Sequence, residues 1–291
     1  MTLPHIRVRP PTGRRRPLAL QTPVTAFRNP DTGHRLLVVS TFHFGEPGYY
    51  QVLLDDITAY EHDGWQVQHE GSQHLTPAGT PTAEERAVLD DLAASRELEA
   101  LRMSMLGWVS QHPVLHRPTW RTVDMADLDI IRAVGHDTMR AHLTTSRERL
   151  GWPDTQPWQH CRFHALLALG LRHIARAVAH GNDPHGRRPH PDPRKEALDR
   201  VLLDARSTTA VTTAIATDTD VVMVWGAAHL PGIAASLGDH GYQADPADTR
   251  WHTVGLIPPV RASTIRYLLR RPPAPHLNFH TTTEPVTEPT S

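Results

Sequence analysis

Two stretches of this chain, far apart in the sequence, carry the same signals in the same order. The first runs Leu36–Ser40, Thr41, Phe42, His43, Pro47, a helical pattern, and His62-Asp63-Gly64-Trp65-Gln66. The second runs Val221–Gly226, Ala227, Ala228, His229, Pro231, a helical pattern, and Asp239-His240-Gly241-Tyr242-Gln243. In each, a β-rich run ends on a small residue and a histidine follows three positions later. A proline suited to a first helical turn comes next, then a glycine stop and an aromatic strand start. The shared order predicts two related βαβ halves, and with them an α/β fold built on a mixed central sheet.

The rest of the chain fits around those halves. Val24–Arg28 and Arg35–Thr41 read as strands joined by the turn signal Asn29-Pro30-Asp31-Thr32-Gly33. Pro47 opens a helix to about Asp63, with Tyr50, Leu53, Leu54, Ile57 and Tyr60 at helical spacing, before a strand at Trp65–Gln68. Thr82-Ala83-Glu84-Glu85 is a capping box that introduces a helix to about Met105. Arg121–Asp124 reads as a strand, Ala126–Leu143, Gln159–His180 and Lys195–Ala216 as helices, and 181–194 as a loop. Then come strand Val221–Trp225, helix Pro231–Gly238 and strand Trp251–Ile257. The expected organisation is one α/β domain over 21–271, with a helical insertion at about 82–195. A flexible basic arm (1–20, bearing Arg7, Arg9, Arg14, Arg15 and Arg16) precedes it, and a Pro/Thr-rich disordered tail (272–291) follows.

Composition excludes several classes. Hydrophobic residues are 39% of the 291, enough for a packed core, and no apolar run approaches the ~18 residues of a membrane span. A formal net charge of −1 supplies no whole-chain argument for nucleic acid or a membrane surface. The single cysteine, Cys161, excludes a disulfide framework and a cysteine-built zinc site. These features predict a soluble, cytoplasmic protein. Histidine is abundant at 21, so each one is judged by position. His160 and His164 read as polar helix surface, and His180, His185 and His190 as solvated loop. The run His69-Glu70-Gly71-Ser72-Gln73-His74 resembles a zinc helix motif, but its histidines are spaced wrongly for one helix face and Gly71 disfavours helix. No nucleophile elbow, phosphate loop or dinucleotide glycine motif occurs.

Ligands of open α/β sheets gather outside the carboxyl ends of the strands. His43 and His229 both fall at that edge, and so does Glu70, directly after the strand Trp65–Gln68. Two imidazoles and a carboxylate are the ligand set of an open site for Zn, Mn, Co or Fe, and such an ion can drive hydrolysis. Glu70 serves there either as a ligand or as the general base. The same three residues also suit plain structural roles, the histidines bonding at the corners and Glu70 holding a helix N-terminus.

These residues resemble the TraB/PrgY/GumN family, which includes the Tiki proteins. The family carries two Gly-x-x-His motifs, a glutamate after the second strand and an arginine ahead of the second motif. Gly226-Ala227-Ala228-His229, continued by Leu230-Pro231-Gly232-Ile233, matches the second motif, with Gly226 and Gly232 as its scaffold. Ser40-Thr41-Phe42-His43 departs from the first, with Ser40 in place of glycine. Glu70 takes the glutamate's place and Arg206 the arginine's, over approximately Val24–Leu256. The resemblance implies a sheet of two α/β halves and a Tiki-like, metal-dependent peptidase or other hydrolase. His43, His229 and Glu70 would then stand at the ion, with Arg206 orienting a peptide or other small substrate. It equally implies a second class, a non-catalytic binder of a peptide, pheromone or haem, and Ser40 is the feature that keeps that class open. In a third reading the site is vestigial and aromatics within 103–120 serve as a working surface.

Overall fold

The computed structural model describes residues 4–9, 18–104, 107–150 and 193–257. The expected helix Gln159–His180, the tail 272–291, most of the loop 181–194, and Cys161, His160, His164, His180, His185 and His190 lie outside them.

Along the described chain, strands β1 (Arg7–Arg9), β2 (Leu18–Arg28), β3 (Arg35–Thr41) and β4 (Phe44–Gly45) lead to helix α1 (Pro47–His62) and strand β5 (Gln66–His69). A 3-10 turn (Ser72–His74), α2 (Ala83–Ser104), β6 (Val109–Ser110), β7 (Arg121–Thr122), α3 (Asp127–Val134) and α4 (His136–Leu150) follow. After the gap, α5 (Pro193–Asp199) runs through a π-helical stretch, Arg200–Ala205, into α6 (Arg206–Ile215). Strand β8 (Val221–Gly226), a 3-10 turn (Ala227–His229), α7 (Leu230–Asp239) and β9 (Gln243–Ile257) complete it.

Among the described residues seven strands form the main sheet, with β2, β3, β8, β5 and β7 side by side and β9 on the far side of β2. The sheet is mixed: β3, β8, β5 and β7 are parallel neighbours, whereas β2 is antiparallel to both β3 and β9. Two reversals leave β9 running in the direction of β8, so β3–α1–β5 and β8–α7–β9 are both βαβ units. The units wind in opposite directions from adjacent strands, and alternation along those strands shows the consequence. Leu37, Val39, Val222 and Val224 pack with Tyr50, Leu53 and Ile57 of α1 on one face. Leu36, Val38, Val221, Met223 and Trp225 pack with Leu230, Ile233 and Leu237 of α7 on the other. Strands buried on both faces read as continuous apolar runs, and β3 and β8 do so. The boundary between β3 and β8 is therefore a topological switch point, the place where such sheets open a crevice.

The helical insertion has its own small core of Val88, Ile130, Ile131, Val134, Met139, Leu143 and Leu198. The capping box that starts α2 closes reciprocally: the Thr82 N–H donates to Glu85 Oε2 at 2.7 Å and the Glu85 N–H to Thr82 Oγ1 at 3.2 Å. The expected helix Ala126–Leu143 is instead two, because Gly135 adopts φ +91° and turns the chain between α3 and α4.

Three expectations need correction. The basic arm 1–20 is not solvated throughout. Arg7–Arg9 pairs with β2, Ile6 is buried, the Arg7 Nε–H donates to Gln21 Oε1 at 2.8 Å, and its guanidinium lies 4.2 Å above the Trp251 ring. Those partners come from distant sequence, which a local charge reading does not see. The last strand begins at Gln243 rather than Trp251, since main-chain pairing with β2 holds its polar half despite two register shifts. Pro246 is tolerated because the strand is an edge. Finally, Trp108 and Trp120 in 103–120 are buried, so that segment offers no aromatic surface through them.

Candidate functional site

Register brings the expected residues together. Thr41 of β3 stands opposite Gly226 of β8, and Val224 opposite His69 of β5, so the three strands end at the same edge. The Glu70 N–H, one residue past β5, still donates to Val224 O at 3.1 Å, which fixes the carboxylate beside β8. His43 emerges from the bend after β3, and His229 closes the 3-10 turn after β8. Gly226 sits between them. A Cβ there would come within 3.3 Å of Glu70 Oε1 and 3.5 Å of His43 Nε2, so the glycine leaves room for both side chains.

Glu70 is the centre of the arrangement. Its side chain is 8% exposed, yet neither carboxylate oxygen accepts a hydrogen bond among the described residues. His43 Nδ1 lies 3.8 Å from Oε1; His229 Nε2 and Arg206 Nη2 lie 3.9 and 3.6 Å from Oε2. A buried carboxylate with unmet acceptors is costly, on the order of several kcal/mol, unless a cation or donor completes it. The Arg206 guanidinium supplies charge at longer range, because Asp124 holds it: Nε and Nη2 donate to Asp124 Oδ1 and Oδ2, both at 2.7 Å. The Asp124 side chain is fully buried and also accepts the Gly71 N–H, 2.9 Å away.

His229 is neutral. Burial foremost, then the charge of Arg206 and the proximity of His43, push its pKa down to about 3. Ser207 of α6 meets its Nδ1 at 3.0 Å and the Trp225 ring lies edge-on at 5.1 Å. With its proton on Nδ1, the Nε2 lone pair faces Glu70, which is the orientation an ion ligand needs. His69 plays a different part. A carbonyl can only accept, so His69 Nδ1–H donates to Glu70 O at 2.8 Å, and the ring, kept neutral by burial, accepts from the Thr122 hydroxyl at 3.1 Å through Nε2.

His43, Glu70, His229 and Arg206 thus share one crevice. Ser40, opposite Trp225, is buried just behind it with a hydroxyl that has no hydrogen-bond partner among the described residues, and Gly232 lies in the first turn of α7. Sequence reasoning missed Asp124 and Ser207, which fix Arg206 and His229 from remote elements; the acid's isolated place after a two-residue strand gave no local signal. The donors around Glu70 stand farther apart than the ~3 Å that ligands sharing an ion at 2.0–2.2 Å would show. Among the described residues, no group of three or more His, Cys, Asp or Glu side chains is gathered closely enough to hold one. No helix among them is long and apolar enough to cross a membrane.

Compared with known proteins, the chain matches no family model, no curated protein and no solved structure.

Proposed function

We propose that the crevice is the active site of a metal-dependent hydrolase acting on a peptide or related acyl bond. The observation that carries this reading is the buried Glu70 carboxylate, without hydrogen bonds among the described residues and flanked by two imidazoles at 3.8 and 3.9 Å. His43, Glu70 and His229 would hold a divalent ion of the Zn, Mn, Co or Fe kind, after closing inward by less than about 1 Å. Such an ion would supply Lewis acidity for hydrolysis.

The chain's own residues supply the rest. His229 stays unprotonated at neutral pH and is oriented by Ser207, so no proton need leave it before it ligates. Arg206, anchored on Asp124, holds positive charge at the inner wall, where it favours a substrate carboxylate or a developing oxyanion. His43 is exposed, so it stands on the side from which substrate enters. Glu70 either completes the ion's ligands or takes the proton of the attacking water. The TraB-like pattern supports the same assignment, since its glutamate, arginine and second histidine correspond to Glu70, Arg206 and His229.

The test is elemental analysis of protein purified without chelator at neutral pH, followed by hydrolysis of a peptide library with and without chelator. One ion per chain at this site, lost in Glu70→Gln, with chelator-sensitive cleavage, is the expected result. Peptide or haem binding that is lost in His43→Ala without any turnover would replace the hydrolase by a binding protein. Protein that holds no ion and cleaves equally well in chelator would overturn the proposal.

A further inference from the structure

A second group of imidazoles lies outside the crevice. His74 ends the 3-10 turn after β5, and His112 and His116 lie on the connection between β6 and β7. Their ring centroids are 4.1 Å apart for His74–His112, 5.1 Å for His112–His116 and 5.4 Å for His74–His116, with planes within 24–29° of one another. His69 meets His116 edge-on at 5.1 Å, but both its ring nitrogens are already bonded, so it forms a wall of the group and not a donor to it. Packing does not require this stack, since His74 and His116 are exposed. His112 Nε2 is buried without a partner among the described residues, an unmet nitrogen in the middle of the group.

We propose that His74, His112 and His116 bind a transition-metal ion of the Zn2+, Ni2+ or Cu2+ class, at a site separate from His43, Glu70 and His229. An imidazole that ligates at about 2.0–2.1 Å places its ring centroid about 3.2 Å from the ion, so two ligands at a tetrahedral angle have centroids about 5 Å apart. The three observed separations, 4.1 to 5.4 Å, bracket that value. The rings now face each other instead of a common point, and ligation requires them to turn about their own side-chain torsions. Exposure leaves His74 and His116 space to turn, and the ion gives His112 Nε2 the partner it lacks.

Protons compete weakly at two of these rings. Burial first, then the neighbouring histidines, push His112 down to about 4, and burial followed by His116 lowers His74. Asp127 favours positive charge at His74, with Arg96 opposing it. Imidazole nitrogens select borderline ions over Mg2+ or Ca2+, and three protein ligands leave a fourth position for water. The bound ion clips the turn after β5 to the loop whose Gln111 N–H donates to His43 O at 2.9 Å, so it steadies the exposed corner of the crevice from outside.

Calorimetric titration of the chelator-stripped full chain with ZnCl2 tests this, using Glu70→Gln as the parent so that the crevice does not contribute. One Zn2+ per chain is expected, with affinity falling at least a hundredfold on adding His74→Gln and His116→Gln. X-ray absorption should show imidazole scattering, and the melting temperature should rise by several degrees with Zn2+ in the parent alone. Equal Zn2+ binding by the two proteins, or binding by neither, overturns the proposal. If Glu70→Gln does not fold, the double glutamine variant is compared with the unmutated chain, and an unchanged ion stoichiometry is the overturning result. An unmutated chain that holds no ion in the crevice while this site still binds Zn2+ would sink the hydrolase reading and leave this one standing.

Discussion

His43 and His229 each follow a small residue at a strand end by three positions, yet the first side chain is 66% exposed and the second 5%. The difference comes from what the chain does next. His229 closes a 3-10 turn that runs straight into α7, and Ser207 of α6 meets its ring while the charge of Arg206 acts on it. After His43 the chain detours through β4, paired with β6, before α1 begins. Similar sequence therefore produces one histidine fixed and neutral and another open to solvent. The proposed hydrolase site has use for each kind.

The largest way to break the buried corner is Asp124→Ala. It leaves the Arg206 guanidinium buried without its bidentate partner, beside Glu70 and His229, and should cost about 3–5 kcal/mol in urea denaturation. His43→Ala in the same assay should change stability by less than about 0.5 kcal/mol, because its ring is exposed, while still weakening ion binding. A large stability loss from His43→Ala would erase the contrast.

Acid sharpens it next. The folded-state pKa of His229, about 3, lies below the ordinary histidine value. The unfolded chain therefore binds the extra proton as pH falls from about 6.5 to 3, and stability drops by up to about 1.4 kcal/mol per pH unit in that window. Above about pH 6.5 this contribution is fully present. His229→Gln should flatten the acid limb of a stability–pH curve, and an unchanged limb would show that the ring is not held neutral by burial.

Smaller effects separate Gly226 from Ser40. Gly226→Ala should alter stability by no more than about 1 kcal/mol, since its φ of −52° suits alanine, but the new Cβ crowds Glu70 and His43. Ion affinity, read by titration, should fall about tenfold. Ser40→Ala removes a buried hydroxyl with no partner among the described residues and should be neutral or stabilising by up to about 1 kcal/mol in thermal unfolding. Clear destabilisation would mean that the hydroxyl bonds a water or ligand.

Much of the frame was legible locally. The bounds of β3 were read to the residue, α1, α2 and β8 to within a residue or so, and the Thr82–Glu85 box formed its two hydrogen bonds. The edge of the sheet was not legible, because β1 and the polar half of β9 exist through main-chain pairing with β2 and leave no periodic apolar mark. In the site, His43, Glu70 and His229 were found by their place after strands. Asp124, Ser207 and the imidazole group escaped, because each acquires its partner from a segment far along the chain.

The sequence by itself determined the strand-to-helix corners, since hydrophobic runs, proline starts and glycine stops act over a few neighbouring residues. Only the tertiary structure decided that β8 lies between β3 and β5, which sets two histidines and a carboxylate on one edge. It also decided which histidine is buried. Strand order and burial depend on the packing of whole layers, and the free energy of a charge depends on everything that packs around it.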